Sequence, residues 1–234
     1  MSDPSHPGAE RLRRSAKFWG WDHSFIIKQD QPELNPPYKI WHPNYRAEQL
    51  GQLDFIRAHP EVEQVVYMDA WDTVFTGPPQ ELPATPGQLW FMGDTVLHPD
   101  NPSLAARFPK VGLEEFRFLN AGVMWGDPRV MAELAADFLQ HSPESLVNQE
   151  YFTYRYIYEQ GVGRKRLFLD TKAEVSLNVM LLQKRFFQMK GVRPHFTVSE
   201  SNPLFLHVPG HGSALRETGK PVPIPEELEK LYAA

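Results

Sequence analysis

The 234-residue sequence contains no cysteine, and it has no apolar run long enough to cross a bilayer. Without cysteine there can be no disulfide framework, no thiolate metal site and no cysteine nucleophile. A membrane-spanning helix needs about 20 apolar residues, and the polar N-terminus has no signal-peptide core. We therefore expect a soluble protein of a reducing compartment, the cytoplasm, with no membrane partner.

An excess of positive charge is also missing, since 24 Lys and Arg against 29 Asp and Glu give a net charge of −5. This balance gives no general attraction to nucleic acids or anionic membranes. The sequence does have 41% hydrophobic and 12% aromatic residues, enough for a substantial core. Its length predicts a single domain, over residues 10–234. Terminal residues are commonly poorly ordered, so we expect a poorly ordered lead-in over residues 1–9.

Strand-like and helix-like segments alternate along the chain. Short apolar runs predict strands over residues 23–28, 65–68, 88–93, 116–126, 166–170 and 204–208. Periodicity and start signals predict helices over residues 10–18 and 45–58, from residue 128, and from 142 to 160. This alternation predicts an α/β domain with a mostly parallel sheet.

Most of the predicted strands end in a polar residue. These residues are Asp69, Asp94, Asn120, Asp170 and His207. In open α/β sheets, ligands bind beyond the carboxyl ends of the strands. The pattern therefore predicts a ligand cleft at this edge of the sheet.

The stretch VVYMDAWDTVF, residues 65–75, places two acids directly after an apolar strand. Residues three apart face opposite sides of a strand, so Asp69 and Asp72 can share a ligand only if the chain bends after Asp69. Carboxylates together with ligand phosphates are the usual ligands of Mg²⁺, and Mn²⁺ accepts the same oxygens. The alternative is that the acids cap a turn or are solvated. A phosphatase of the haloacid dehalogenase type needs its aspartates two residues apart, so the spacing disfavours it.

Two further segments leave both a functional and a structural interpretation open. His207 follows an apolar run, and it is either a hydrogen-bonded structural residue or a metal ligand beside Asp72. Asn120, Ala121 and Gly122 either let a ligand approach the backbone closely or mark a strand with a bulge at Gly122.

Seven segments, taken in this order, resemble the glycosyltransferase domain of the procollagen lysyl hydroxylases and its GT-A relatives. They are RLRRSAKFWGW, VVYMDAWDTVFTG, LWFMGDTVLHPDNPSLAARFP, FRFLNAGVMWG, NQEYFTYRYI, LFLDTKAEVSLN and LHVPG. The resemblance runs from about Arg11 to Gly212. It implies a GT-A-like, Rossmann-type domain with a mostly parallel mixed central sheet flanked by helices. It also implies transfer of a sugar from a UDP-linked nucleotide sugar to an acceptor hydroxyl, with Mn²⁺ or Mg²⁺ as the bridging ion.

The resemblance assigns roles by position. The metal ligands would be Asp69, Asp72 and His207. The donor-binding residues would be Asp69, which contacts the ribose, Asn120 and Gly122, which line the sugar pocket, and Arg46, which matches a lysine near the phosphates. The catalytic positions would be Asp94, near the acceptor, and Asn148.

Departures from the family pattern support a second hypothesis. Val147 and Asn148 stand where the family has aspartates, and Leu177 stands where it has glutamine. Because an amide cannot act as a carboxylate base or nucleophile, the alternative function is a degenerate domain that binds a nucleotide sugar or glycan. The family's first strand has no counterpart in residues 1–10. A metal-dependent phosphohydrolase is the third hypothesis.

The acceptor is open at this point. The resemblance allows a hydroxylated protein side chain, such as hydroxylysine of a collagen-like partner, or another sugar. A modified nucleobase is the least favoured acceptor, because the net charge of −5 does not suggest a positive groove.

Overall fold

The computed structural model describes residues 7–22, 45–70, 72–97, 100–110, 116–142, 147–179, 187–208 and 226–233. The strand predicted over residues 23–28 lies outside these ranges. Among the helices in the described ranges, none is both long and apolar enough to cross a membrane.

Within the described ranges the chain forms six α-helices and one 3₁₀ turn, Pro79–Glu81. The helices are α1 (Pro7–Trp19), α2 (Tyr45–Ala58), α3 (Pro102–Ala105), α4 (Pro128–His141), α5 (Asn148–Gly161) and α6 (Glu226–Ala233). The helices predicted at α1, α2, α4 and α5 are confirmed. The predicted start of α5 at Ser142 is wrong, because Ser142 ends α4 and its N–H bonds to the Phe138 carbonyl oxygen.

Nine strands make up two sheets and a hairpin in the same ranges. They are β1 (Val65–Met68), β2 (Thr73–Phe75), β3 (Leu89–Asp94), β4 (Phe118–Gly126), β5 (Leu167–Asp170), β6 (Ser176–Asn178), β7 (Phe187–Lys190), β8 (Arg193–Phe196) and β9 (Phe205–His207). The central sheet has the order β1-β4-β3-β5. β1, β3 and β5 run in the same direction, while β4 is antiparallel to both of its neighbours. The predicted mixed α/β fold is confirmed. In the central sheet, three of the four strands run in the same direction. The antiparallel β4 nevertheless makes most of the strand pairings antiparallel.

A second sheet of order β2-β9-β6 lies beside the central one, and β7 pairs with β8 as a hairpin. β9 is antiparallel to β2 and parallel to β6. The chain therefore leaves the central sheet at the end of β1 and enters the second sheet at β2, within five residues.

The central sheet is buried on both faces, which explains its continuous apolar runs. Successive side chains point to opposite faces of a strand. Phe91 accordingly packs in the cluster that includes α4 and α5, while Met92 packs with residues of α1, β2 and β9. Met124 and Trp125 of β4 divide between the same two clusters. The candidate functional site lies at the edge of the central sheet, next to the second sheet.

Candidate metal and donor site

A bend after β1 brings the two acids of the MDAWD segment to one place. The Asp69 N–H bonds to the Gly122 carbonyl at 2.8 Å, which fixes Asp69 to the central sheet. The Val208 N–H bonds to the Asp72 carbonyl at 2.7 Å, which fixes Asp72 to the second sheet. The bend that the acid spacing requires is therefore present, and it is held from both sides.

Asp69, Asp72 and His207 converge at this bend. Each offers one ligand atom, and these atoms all lie within 4.8 Å of one another. His207 Nε2 is 3.3 Å from Asp72 Oδ1 and 4.0 Å from Asp69 Oδ2. The His207 side chain is 4% exposed, Asp72 27% and Asp69 51%, so the cluster opens to solvent on the Asp69 side.

The other ring nitrogen of His207 has a partner on the neighbouring strand. Asn178 is in register with His207 across the parallel pair β6–β9, and its Oδ1 lies 3.2 Å from His207 Nδ1. Because a carbonyl oxygen only accepts, Nδ1 carries the hydrogen and Nε2 faces the carboxylates. This is the arrangement in which imidazole binds a metal through Nε2.

Charge around His207 is strongly negative. Burial disfavours the imidazolium, but the nearby carboxylates of Asp72, Asp69 and Asp94 outweigh burial and raise the pKa of His207 above its ordinary value. A bound cation would therefore be stabilised by this cluster.

The donor atoms fit a divalent cation. Asp72 Oδ1 and His207 Nε2 are both buried, and beyond their 3.3 Å contact with each other neither makes a hydrogen bond within the residues the structure describes. Buried polar atoms are nearly always satisfied in folded proteins. Carboxylates are ligands of both Mn²⁺ and Mg²⁺, whereas an imidazole is a ligand of transition metals, so this set of atoms fits Mn²⁺ better than Mg²⁺.

A bulge in β4 forms the wall behind this cluster. Phe91 pairs with Met124 but the next β3 residue pairs with Asn120, so residues 121–123 have no β3 partner in register. A Cβ atom on Gly122 would lie 2.7 Å from His207 Cε1. The bulge that the sequence allows at Gly122 is therefore present, and the absent side chain lets the imidazole lie against the strand. Close approach of a ligand to this backbone stays a prediction.

Asp94 and Asn120 are joined at the end of β3. Asn120 Nδ2 donates to Asp94 Oδ2 at 2.9 Å, and Asn120 Oδ1 accepts from the Gly122 N–H at 2.8 Å. Asp94 Oδ1 accepts from the Thr95 and Val96 N–H groups at 2.6 and 3.2 Å. Both carboxylate oxygens of Asp94 are thus engaged by the protein itself. Its predicted role beside the acceptor stays a prediction.

Asn148, at the first position of α5, is also fully engaged. Its Nδ2 donates to Glu48 Oε1 at 2.9 Å, and its Oδ1 accepts from the Gln149 N–H at 2.7 Å. Gln149 Oε1 in turn accepts from the Ala121 N–H at 3.1 Å. This ties the start of α5 to the β4 bulge.

Glu48 was missed by sequence reasoning. It lies in the first turn of α2 and is only 4% exposed. Its Oε1 also accepts from the Tyr67 hydroxyl, which lies 3.5 Å from Asp69 Oδ1. Burial and the charges of Glu48 and Asp69 raise the pKa of Tyr67, so the phenol keeps its proton. An acid in the first turn of a helix is so common that nothing in the sequence indicates this contact.

Two other predicted residues lie in structural contacts. Arg46 Nη2 donates to the Leu139 carbonyl at 2.8 Å, which ties α2 to α4, and its predicted contact with donor phosphates stays a prediction. Asp170 accepts hydrogen bonds from three successive backbone N–H groups, residues 174–176, and so shapes the turn between β5 and β6.

The fold is that of a known glycosyltransferase. It matches a solved structure of a glycosyltransferase involved in the glycosylation of the major capsid of PBCV-1, with a TM-score of 0.53. The match covers 100% of this chain and 96% of that chain at 11% sequence identity, so it shows the fold. No curated protein matched the sequence.

The family is shown by a second comparison. The family model of the PLOD GT domain matches residues 50–215, most of the chain. This chain therefore belongs to the PLOD GT domain family, the glycosyltransferase domains of the lysyl hydroxylase type.

Proposed function

We propose that this domain transfers a sugar from a UDP-linked nucleotide sugar to an acceptor hydroxyl, and that Asp69, Asp72 and His207 hold the Mn²⁺ or Mg²⁺ this requires. The observation that carries the proposal is the facing pair of buried ligand atoms, Asp72 Oδ1 and His207 Nε2, in a glycosyltransferase domain.

The metal would supply one chemical effect when bound, namely neutralisation of the diphosphate leaving group. Asp72 and His207 are fixed by the second sheet, so these two ligands need little rearrangement to bind it. Asp69, half exposed at the open side, would contact the donor ribose as well. Asn120 and Gly122 would line the donor sugar pocket.

Asp94 and Asn148 would act by holding neighbouring parts of the site in place. Asp94 holds Asn120 through a 2.9 Å hydrogen bond, so we assign it to positioning at the acceptor side. Asn148 carries no charge, and its amide fixes the start of α5 relative to Glu48. The acceptor we propose is a sugar hydroxyl or a hydroxylated protein side chain. A cytoplasmic location stays a prediction.

A second candidate function is supported by Asn148. Both of its polar atoms are used in contacts within the protein, and an amide cannot act as a carboxylate base. A domain that binds the metal and nucleotide sugar without transferring the sugar would fit this observation. The phosphohydrolase hypothesis has no comparable support.

Donor turnover separates these candidates. UDP release from a panel of UDP-hexoses should require Mn²⁺ or Mg²⁺, and Asp72→Asn should reduce it by at least about tenfold because it removes a metal-ligand charge. Asp54→Asn is the matched control, since Asp54 is 76% exposed on α2 and should leave turnover unchanged.

Metal-dependent UDP binding without turnover would favour the second candidate. If the wild-type chain shows neither, and Asp72→Asn changes nothing, the proposed function is wrong.

A further inference from the structure

His207 is the middle member of a row of three polar side chains that crosses the second sheet. Thr73 of β2 and Asn178 of β6 are its partners in register, so the three side chains lie on the same face of that sheet. Thr73 Oγ1 makes no hydrogen bond within the described ranges, whereas Asn178 Oδ1 lies 3.2 Å from His207 Nδ1. Of the two neighbours in the row, Asn178 is therefore the one that holds the imidazole.

Asn178 is itself fixed by the backbone around it. It is 1% exposed, and the Val179 N–H donates to the His207 carbonyl oxygen at 2.7 Å, directly beside the side-chain contact. At the other end of β6, the Asp170 carboxylate accepts hydrogen bonds from the N–H groups of residues 174–176. The amide oxygen of Asn178 is thus a rigid acceptor for the ring.

The contact with Asn178 determines which ring atom of His207 faces Asp72. A half-turn about the Cβ–Cγ bond of His207 would exchange Nε2 with Cε1, and a neutral imidazole can carry its hydrogen on either nitrogen. Either change would remove the lone pair of Nε2 from the side of the carboxylates. An oxygen acceptor 3.2 Å from Nδ1 opposes both changes, because only an N–H at that position can donate to it.

We propose that Asn178 is a positioning residue that gives the metal site its preference for Mn²⁺ over Mg²⁺, because it presents His207 Nε2 to the ion. The inference rests on the proposed function, since it concerns the same metal site. Imidazole is a ligand of transition metals, whereas Mg²⁺ is held by carboxylates and water. Loss of the Nε2 ligand should therefore weaken Mn²⁺ binding more than Mg²⁺ binding, for which Asp69 and Asp72 remain.

The test compares the Mn²⁺ and Mg²⁺ affinities of the full chain, measured by calorimetric titration without donor or acceptor. Asn178→Leu removes the acceptor and should weaken Mn²⁺ binding about tenfold, the lower end of the range for residues that orient metal ligands, while Mg²⁺ binding changes little. Asn178→Asp keeps an oxygen acceptor and should retain the wild-type preference for Mn²⁺. Asn178→Ala adds no bulk, so it provides the same comparison if Asn178→Leu does not fold.

The tautomer of the metal-free ring gives a second readout, which does not depend on metal binding. At alkaline pH, where the imidazole is neutral, nitrogen-15 NMR should show the hydrogen of His207 on Nδ1 in the wild-type chain. Asn178→Leu should lose this preference. The signals of His207 are assigned by their absence from the spectrum of His207→Gln.

A second pair of asparagine and histidine supplies the matched control. Asn202 Oδ1 lies 3.0 Å from Nδ1 of His195, a buried histidine of β8 that is not one of the three converging ligands. Asn202→Leu removes the same kind of contact. It should lower thermal stability while leaving both metal affinities at the wild-type values.

An unchanged ratio of Mn²⁺ to Mg²⁺ affinity in Asn178→Leu and Asn178→Ala would overturn the inference and leave the proposed function intact. Equal losses for the two metals, or hydrogen on Nε2 in the metal-free wild type, would also overturn it. Absence of Mn²⁺ and Mg²⁺ binding by the wild-type chain would overturn both proposals. The predicted fall in the ratio without UDP-sugar turnover would support the inference and contradict only the transfer reaction.

Discussion

At Gly122 the His207 imidazole lies so close to β4 that a Cβ atom would be 2.7 Å from Cε1 and 2.9 Å from Nε2. The third near atom is Asn120 Oδ1, at 3.0 Å. Contacts of this length force a shift, and both neighbours are themselves held by hydrogen bonds, to Asn178 and Asp94. The glycine is therefore a requirement of the candidate metal site as much as of the strand.

Gly122→Ala should weaken Mn²⁺ binding by at least about tenfold, because the new methyl group displaces the Nε2 ligand atom. Calorimetric titration of the purified variant measures this directly. Gly161→Ala, at the end of α5, is the matched control because a Cβ there meets nothing within 4 Å. If Gly122→Ala binds Mn²⁺ as the wild type does, His207 does not ligate in this position.

At the scale of secondary-structure elements, the start of α4 is fixed by one side chain. Asp127 Oδ1 accepts from the Arg129 N–H at 2.9 Å, and Oδ2 accepts from the Gly87 N–H at 2.8 Å. The carboxylate therefore caps α4 and joins it to the turn before β3. The hydrogen bond from the Arg129 guanidinium is the main reason that the pKa of Asp127 lies well below its usual value.

Asp127→Ala should reduce the free energy of unfolding by about 1–2 kcal/mol near neutral pH. A lowered folded-state pKa stabilises the protein above the unfolded pKa of about 3.9, and this contribution is lost as the pH falls further. Urea unfolding at several pH values should therefore show the difference from wild type shrinking below about pH 4. Asn101→Ala removes the neutral N-cap of α3, so its cost should not change with pH. A cost for Asp127→Ala that is independent of pH would contradict the assignment.

Elements with a strong local signal could be predicted from the sequence. α2 and α4 have helical periodicity, and the Asp127-Pro128 start signal marks α4. β2 and β6 were missed because three residues show no periodicity, and they become strands only by pairing with β9. The β7–β8 hairpin was missed as well.

At the scale of the whole molecule, the site is where two sheets meet. The convergence of Asp69, Asp72 and His207 could be predicted, because Asp69 and His207 lie at the ends of apolar strands and all three match a family pattern. Glu48 and Asn178 could not be assigned roles, because their contacts arise only when α2 packs beside β1 and β6 pairs with β9. The direction of β4, antiparallel between parallel neighbours, also depends on tertiary pairing rather than on its apolar run.

The central claim is that these three side chains hold a divalent metal beside a nucleotide diphosphate. Anomalous diffraction at the manganese edge, from crystals grown with Mn²⁺ and UDP, locates the ion without relying on activity. We expect one strong peak within bonding distance of Asp72 Oδ1 and His207 Nε2, next to the diphosphate. UDP bound with no peak at these atoms, or a manganese ion bound only elsewhere, would contradict it.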